Sequence, residues 1–250
     1  MTSPITSLET NLLIASLPTK QQRRLLRRLE AVAIQTNEDL YKSGQPIRYV
    51  YFPTKGCLIS VITELGDGKT FDAVLIGYEG LAGVEAFLGV EKAQFGATVR
   101  MGGRALRMET EVIGADLRVG GCLSEVIQRY VQFLLLAFSQ KAGCNCFHSL
   151  ERHLCSWLLR IQDHTQADEI EITHEVLAEM LGVRRVGISQ AARKLMEAGL
   201  IRYSWGKLTI LDRKRLEEYA CVCHERITQS YQRLLDPAWP YLDNSPDAAS

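Results

Sequence analysis

"MLGVRRVGISQAARKLMEAGLI", Met180 to Ile201, sets Arg184, Arg185, Arg193 and Lys194 against one acid, Glu197, between apolar positions at helical spacing. Ile188, Ala191, Ala192 and Leu195 fall on one stripe, which predicts an amphipathic helix with its basic residues turned outward. Upstream, "EIEIT" reads as a short strand ending at Thr173, a good N-cap for a helix over "HEVLAEML". Gly182 stops that helix, as glycine does where φ must be positive. Downstream, Gly199 ends the second helix, and "LIRYSWGKLTILD" gives two short strands around "SWG". Helix, tight turn at Leu181 to Val183, helix and hairpin describe a winged helix-turn-helix.

In such a module the N-terminal residues of the second helix reach base edges in the major groove of duplex DNA. Between Met180 and Arg215 nine basic residues face only two acids, Glu197 and Asp212, in a chain of zero net charge. A phosphate backbone is the partner that best explains that concentration. The DNA-contacting set is therefore Arg184, Arg185, Ser189, Gln190, Arg193 and Lys207, with Arg185 reading a base and "SWGK" flanking a minor groove. A solvated basic helix and a winged-helix protein-interaction module are the bland alternatives.

The chain has 250 residues with a hydrophobic fraction of 46%, an ordinary value for a folded soluble protein. It has no long apolar run of membrane-spanning type, and its start, "MTSPITSLET", lacks the pattern of a secretory signal. Seven cysteines without an export signal suit a cytoplasmic protein with reduced thiols. There is no GxGxxG opening a helix, no Walker sequence, no Gly-x-Ser-x-Gly and no His-Glu-x-x-His. All five histidines follow residue 147, so the front half lacks the paired histidines of a cupin metal site. No catalytic residues are assigned, and the expectation is a non-enzyme.

The front half begins with a helical stretch over Asn11 to Glu30, in which Leu25, Leu26 and Leu29 face inward and Arg23, Arg24, Arg27 and Arg28 line the outside. From Ala31 to about Leu117, "IRYVYF", "CLISVIT", "TFDAVLI", "FGATVRM" and "GRALRM" have strand composition. "SGQP", "PTKG" and "ELGDGK" between them are turns. Many short strands at this spacing predict a sandwich or roll. "LIGYEGLAGVEAFLG", Leu75 to Gly89, is the stretch with ligand-site character: Gly77, Gly80 and Gly83 would let backbone N–H groups approach an anion. Glu79 would accept from a ligand hydroxyl or cap the turn, and glycines at a tight turn in a small barrel explain the stretch equally well.

"LSEVIQRYVQFLLLAFSQKAGCNC", from Leu123, reads as one long helix. Leu123, Ile127, Tyr130, Leu134, Ala137 and Lys141 alternate spacings of four and three, a coiled-coil-like seam that predicts a homodimer. "SLERHLCSWLLRIQDH" follows as a second amphipathic helix.

The whole arrangement resembles the family of the cyclic AMP receptor protein and the oxygen-responsive FNR regulators. The resemblance spans roughly Asn11 to Tyr231, and "ITHEVLAEMLGVRRVGISQAARKLMEAGLI" is its most specific part. It implies an α+β fold: a cyclic-nucleotide-binding-like double-stranded β-helix (a jelly roll) over residues 1–120, a dimerisation helix over 121–148, a winged helix-turn-helix over 149–235 and a flexible tail over 236–250. It implies palindromic duplex DNA, a second copy of the chain, RNA polymerase and a small-molecule effector as partners, and no membrane. Within the cyclic-nucleotide binders an Arg-Ser or Arg-Thr pair precedes an Ala-x-Val strand and neutralises the phosphate. Here Ala97, Thr98 and Val99 match that strand, and Phe95 and Gly96 stand where the pair would be. Glu79 matches the family's cassette glutamate only loosely, since Tyr78 separates it from Gly77. An effector pocket is expected at Gly77, Glu79, Gly80, Gly83 and Thr98, with an unknown ligand other than cyclic AMP. Lys92 or Arg100 would have to replace the missing arginine. The reading helix departs too: the family's Ser-Arg-Glu-Thr-Val-x-Arg is matched by Arg184 to Gln190, keeping an arginine at Arg185 but placing Val186 at the glutamate.

"CNCFHSLERHLC" and "CVCH" raise a thiol- or metal-responsive alternative. Two residues apart on a helix, Cys144 and Cys146 point away from each other, and Cys221 and Cys223 would do the same. No cysteine precedes Cys57, unlike the N-terminal cluster of FNR-like members. The expectation is therefore no metal site and plain buried thiols. A further alternative is a ligand-free β-domain acting as a scaffold.

Overall fold

The computed structural model describes residues 11–112 and 122–234. The boundary expected at residue 120 and the tail expected over 236–250 lie outside the described residues.

Two short helices, α1 (Leu12–Ala15) and α2 (Thr19–Leu26), occupy the stretch expected to be helical. The chain breaks at Ser16 to Pro18, because proline cannot supply the N–H that a continuing helix needs. Asn11 anchors this end. Its side-chain oxygen accepts from the Leu13 N–H at 3.0 Å, and its amide donates to the Gly80 and Pro53 carbonyls at 2.7 and 3.1 Å.

The β-domain follows as β1 (Glu30–Ile34), β2 (Asp39–Tyr41), β3 (Tyr49–Pro53), β4 (Leu58–Glu64), β5 (Thr70–Ile76), β6 (Gly96–Met101) and β7 (Gly103–Glu109). They form two antiparallel sheets, ordered β1-β7-β3 and β2-β6-β4-β5, as a jelly roll requires. The strand-like runs are found where expected. Glu30 belongs to β1 rather than to the first helical stretch, and a short 3-10 helix covers Val84–Leu88.

Helix α3 (Cys122–Phe147) crosses this domain, and α4 (Leu150–Thr165) leads into the C-terminal module. There β8 (Glu169–Glu171), α5 (His174–Leu181), α6 (Arg185–Glu197), β9 (Ile201–Ser204) and β10 (Lys207–Ile210) make the winged helix-turn-helix. Its sheet is ordered β8-β10-β9. Thr173 caps α5 by accepting from the Val176 N–H, and Gly182 closes it in the left-handed region at φ 68°. Two more helices, α7 (Arg213–Tyr219) and α8 (Val222–Leu234), end the described chain, and α8 packs back along α3.

One hydrophobic core joins the β-domain to α3 and α8, and a second fills the helix-turn-helix. Leu58 and Leu75 of the β-domain belong to the second core, so the two modules share packing. Polar links reinforce this. Arg160 donates to the Leu75 carbonyl at 2.9 Å, and the Gly56 N–H donates to the His164 carbonyl at 3.1 Å. Arg100 on β6 binds both oxygens of Asp72 and lies 3.5 Å from Glu179 on α5. Among the described residues no helix is long and apolar enough to cross a membrane.

Candidate functional site

The best-defined surface is the exposed face of α6. Ile188, Ala191, Ala192 and Leu195 are buried, as the stripe predicted, and small alanines let α6 approach α5 closely. Arg184 occupies the N-cap position, while Arg185, Gln190 and Arg193 are exposed and Ser189 is half-buried. Ser189 is therefore less open than its neighbours: its hydroxyl lies 3.0 Å from His174 Nδ1 and donates to the Arg185 carbonyl at 3.2 Å. His174 in turn stacks on Tyr203, and its pKa is lowered by burial and by the nearby Arg185.

Arg185, Arg193 and Lys207 are each paired with acids at the surface. Arg185 lies 3.0 Å from Glu175, Arg193 is 3.5 Å from Glu197, and Lys207 is 2.9 Å from Glu169 and 3.5 Å from Glu171. Such exposed pairs stabilise the fold by at most about 1 kcal/mol and exchange readily for phosphate. The wing tip carries a residue that the sequence did not single out. Trp205 sits at φ 52° and is 100% exposed, an unusual position for a large aromatic ring. Only its place inside "SWG" signalled it. Val186, beside Arg185, is 66% exposed.

The glycine cassette is packed by the chain itself. A Cβ on Gly80 would meet the Tyr130 hydroxyl at 2.5 Å, and one on Gly77 would meet His164 Nδ1 at 2.3 Å. Gly83 needs its freedom for φ +91° and rests against Val50 and Ile47. Glu79 is buried, with Oε2 3.0 Å from His164 Nδ1 and Oε1 3.5 Å from Arg160. Burial works to raise the Glu79 pKa, but His164 and Arg160 outweigh it and hold the carboxyl below the ordinary carboxylate range. Gly77, Glu79 and Gly80 are thus brought together facing α3 and α4.

Thr98 lies elsewhere, on β6, donating to Asp39 at 2.7 Å. Neither expected substitute for the phosphate arginine stands ready to bind an anion. Arg100 is committed to buried Asp72, and Lys92 is exposed beyond the cassette. Phe95 stacks on Phe138 of α3, with ring centroids 5.8 Å apart, so an apolar pair stands at the arginine's position in the sequence.

Beside Glu79 opens a cleft of about 1060 Å³ between the modules, lined among others by Arg160, His164, His224 and Tyr231. Glu79 Oε2, His164 Nδ1, His224 Nδ1 and the Tyr231 hydroxyl are buried there without a hydrogen bond. For Glu79 and His164 the 3.0 Å approach lacks hydrogen-bond angles, so the contact is electrostatic.

The expected dimer seam is largely an internal seam. Ile127, Tyr130, Leu134 and Ala137 are buried within the chain, and Tyr130 donates to the Leu81 carbonyl at 3.1 Å. Leu123 and Lys141 are half-buried. The open face of α3 is rotated from it and carries Gln128, Gln132, Leu135, Ser139 and Ala142, again at spacings of four and three. Apolar periodicity identifies a stripe that needs cover but not whether the chain or a second copy supplies it.

The cysteine expectation is corrected as well. Cys221 precedes α8 instead of lying in it, so the helical divergence expected for Cys221 and Cys223 does not hold. Their sulfurs converge with those of Cys144 and with the ring of His148.

Residues 152–219 match the Crp-like helix-turn-helix domain. No curated protein matches the chain in sequence. Among solved structures, FixK2 from Bradyrhizobium japonicum superposes with a TM-score of 0.65 at 13% identity, covering 77% of this chain and 98% of that one. A transcriptional regulator of the CRP/FNR family from Thermus thermophilus gives 0.58 at 19% identity, with 76% and 98% covered. The c-di-GMP responsive global regulator CLP from Xanthomonas campestris gives 0.58 at 16%, with 78% and 100% covered. The chain therefore has the fold of the Crp/Fnr regulators along most of its length and carries their type of helix-turn-helix domain.

Proposed function

We propose that this divergent Crp/Fnr-type chain acts as a homodimeric, sequence-specific transcriptional regulator that binds roughly two-fold symmetric duplex DNA. The observation that carries the reading is the two-sided character of α6. Its apolar face is locked into the core, and Arg184, Arg185, Gln190 and Arg193 project from the other. Arg185 suits bidentate bonding to guanine O6 and N7, Gln190 suits adenine, and Val186 suits a thymine methyl. Ser189 is a further base-contacting candidate. Arg184, Arg193 and Lys207 suit phosphates, which set register. The exposure of Trp205 at the wing tip supports a role in entering or flanking a minor groove. A selection from random duplexes tests this. One enriched palindromic motif is expected, and no enrichment would make the module a protein-binding winged helix.

In this reading the chain divides into a sensor over 1–120, a connecting helix over 121–148 and a DNA-binding module over 149–235. A pair of chains sets two reading helices about one DNA turn apart. The open stripe through Leu135 supports this pairing, and the DNA-bound dimer would present a surface to RNA polymerase. The effector reading centres on Glu79 and the cleft beside it, between sensor and reader. Its buried polar atoms favour a small molecule bearing both donors and acceptors. A cyclic nucleotide is disfavoured, because Phe95, stacked on Phe138, stands in the sequence where the cyclic-nucleotide binders have their phosphate-neutralising arginine. Calorimetry with cyclic AMP is expected to show no saturable binding at micromolar concentration, and such binding would overturn this view.

A further inference from the structure

We propose that Cys144, His148, Cys221 and Cys223 form a metal site for a single ion of the zinc type, which clasps α8 to the end of α3. The four donor atoms lie within 4.8 Å of one another. Cys144 Sγ is 3.3 Å from Cys221 Sγ and 3.5 Å from His148 Nδ1, and Cys223 Sγ is 3.6 Å from the same nitrogen. Tetrahedral zinc with arms of about 2.3 Å to sulfur and 2.0–2.1 Å to nitrogen needs donors roughly 3.5–3.8 Å apart. The three close spacings lie within about 0.5 Å of that range, and the widest pair, within 4.8 Å, has to close by at most about 1 Å. Donors this close enclose one ion, whereas an iron–sulfur cluster spreads its ligands over separate irons.

The local chain explains the convergence. Cys144 and His148 are one helical turn apart, and the His148 N–H donates to the Cys144 carbonyl at 3.0 Å, so both face the same way. Cys221 stands just ahead of α8, its carbonyl accepting from the His224 N–H at 3.1 Å, while Cys223 lies in the first turn. The three buried sulfurs form a small cluster of their own, apart from both hydrophobic cores. Apolar packing alone gives no reason to gather them with an imidazole.

The surroundings suit a metal. His153 Nε2 lies 2.6 Å from the Cys144 carbonyl and fixes that turn of backbone. The Ser156 hydroxyl is 3.1 Å from Cys221 Sγ and can donate to a thiolate. Such outer partners orient ligands and tune the ion. Three thiolates and one neutral imidazole around a divalent cation leave one net negative charge, and Lys141 lines the same small cavity as the sulfurs. Thiolate and imidazole favour zinc over the oxygen-seeking magnesium and calcium. Each thiol releases its proton to solvent as the ion binds, with no change of oxidation state.

Metal analysis of the full chain, purified under reducing conditions without added metal, tests the site together with a cobalt(II) titration of the stripped protein. About one zinc per chain is expected, and cobalt should saturate at about one equivalent with the strong visible bands and thiolate charge-transfer absorption of a tetrahedral site. Cys223→Ser should weaken cobalt binding by at least the roughly tenfold that loss of even an outer partner costs. Cys146→Ser, at an exposed neighbour, should leave binding unchanged. Circular dichroism checks that both variants fold, and the wild-type titration needs no variant. A wild type that carries no zinc and gives only the weak spectrum of aqueous cobalt would overturn the proposal, as would a folded Cys223→Ser that binds cobalt as tightly as the wild type and with an unchanged spectrum. Neither readout involves DNA, so the regulator reading stands or falls separately.

Discussion

Arg185 Nε lies 3.0 Å from the Glu175 carboxylate, a contact that links the starts of the two helices of the DNA-binding module. Both side chains are mostly exposed, so the pair holds the arginine near the helix start at little energetic cost. Binding DNA exchanges this partner for a base edge. Arg185→Ala is expected to lose about 1–3 kcal/mol of discrimination at one base pair of each half-site. Competition binding with duplexes altered at single positions measures it, and an equal loss on every duplex would move Arg185 to the phosphate-contacting group.

Lys207 makes the contrasting prediction. Its partners, Glu169 and Glu171, are on the neighbouring strand, and it points to the wing rather than the reading helix. Lys207→Ala should weaken all duplexes alike and reduce the slope of log affinity against log salt by about one unit. Fluorescence anisotropy across a salt series reads this directly.

Gly80→Ala tests whether the glycine cassette is closed by packing. The added Cβ would sit 2.5 Å from the Tyr130 hydroxyl and 3.0 Å from Ile76 Cγ2. Overpacking of this kind costs about 1–3 kcal/mol. Urea denaturation should show that loss, and Tyr130→Phe in the same chain should recover part of it. A variant as stable as the wild type would mean that this region has room to spare.

Glu79 gives a pH dependence with a definite sign. Its carboxyl is held below the ordinary range because His164 and Arg160 outweigh the effect of burial. A depressed folded pKa contributes stability above the unfolded carboxyl value, about 4.3, which is lost as pH falls through the lower folded value. Glu79→Gln, which loses the ion pair with Arg160, should therefore be less stable than the wild type at neutral pH. The gap should close below about pH 4.3. Denaturation midpoints of both chains at neutral and acid pH check it, and a gap that widens on acidification would contradict the assignment.

Leu135, 66% exposed on the open face of α3, is the residue whose change should separate a dimer. Leu135→Glu is expected to sediment as a folded monomer where the wild type sediments as a dimer. Its neighbour Leu134 is buried inside the chain, so Leu134→Ala should instead cost about 2–5 kcal/mol of folding stability. A Leu135→Glu chain that remains dimeric would place the interface elsewhere.

What the amino-acid order determined by itself is local. The cap at Thr173, the left-handed stop at Gly182 and the buried stripe from Ile188 to Leu195 depend on residues within a few positions of one another, and each is found as read. Strand composition likewise located the runs from β3 to β7, because alternation and turn residues act at short range. Tertiary structure decided what those elements meet. Periodicity marked Ile127, Tyr130, Leu134 and Ala137 as a stripe needing cover, but the β-domain and α8 cover it, leaving the face through Leu135 open. The glycine cassette allows either a ligand site or a tight packed turn by sequence, and Tyr130 and His164 pack against it from 50 and 87 residues away, counted from Gly80 and Gly77. Cys144 and Cys221, 77 residues apart, meet only because α8 turns back along α3. Spacing along the chain predicts which side chains share a face of one helix, whereas the meeting of two helices depends on the whole core between them.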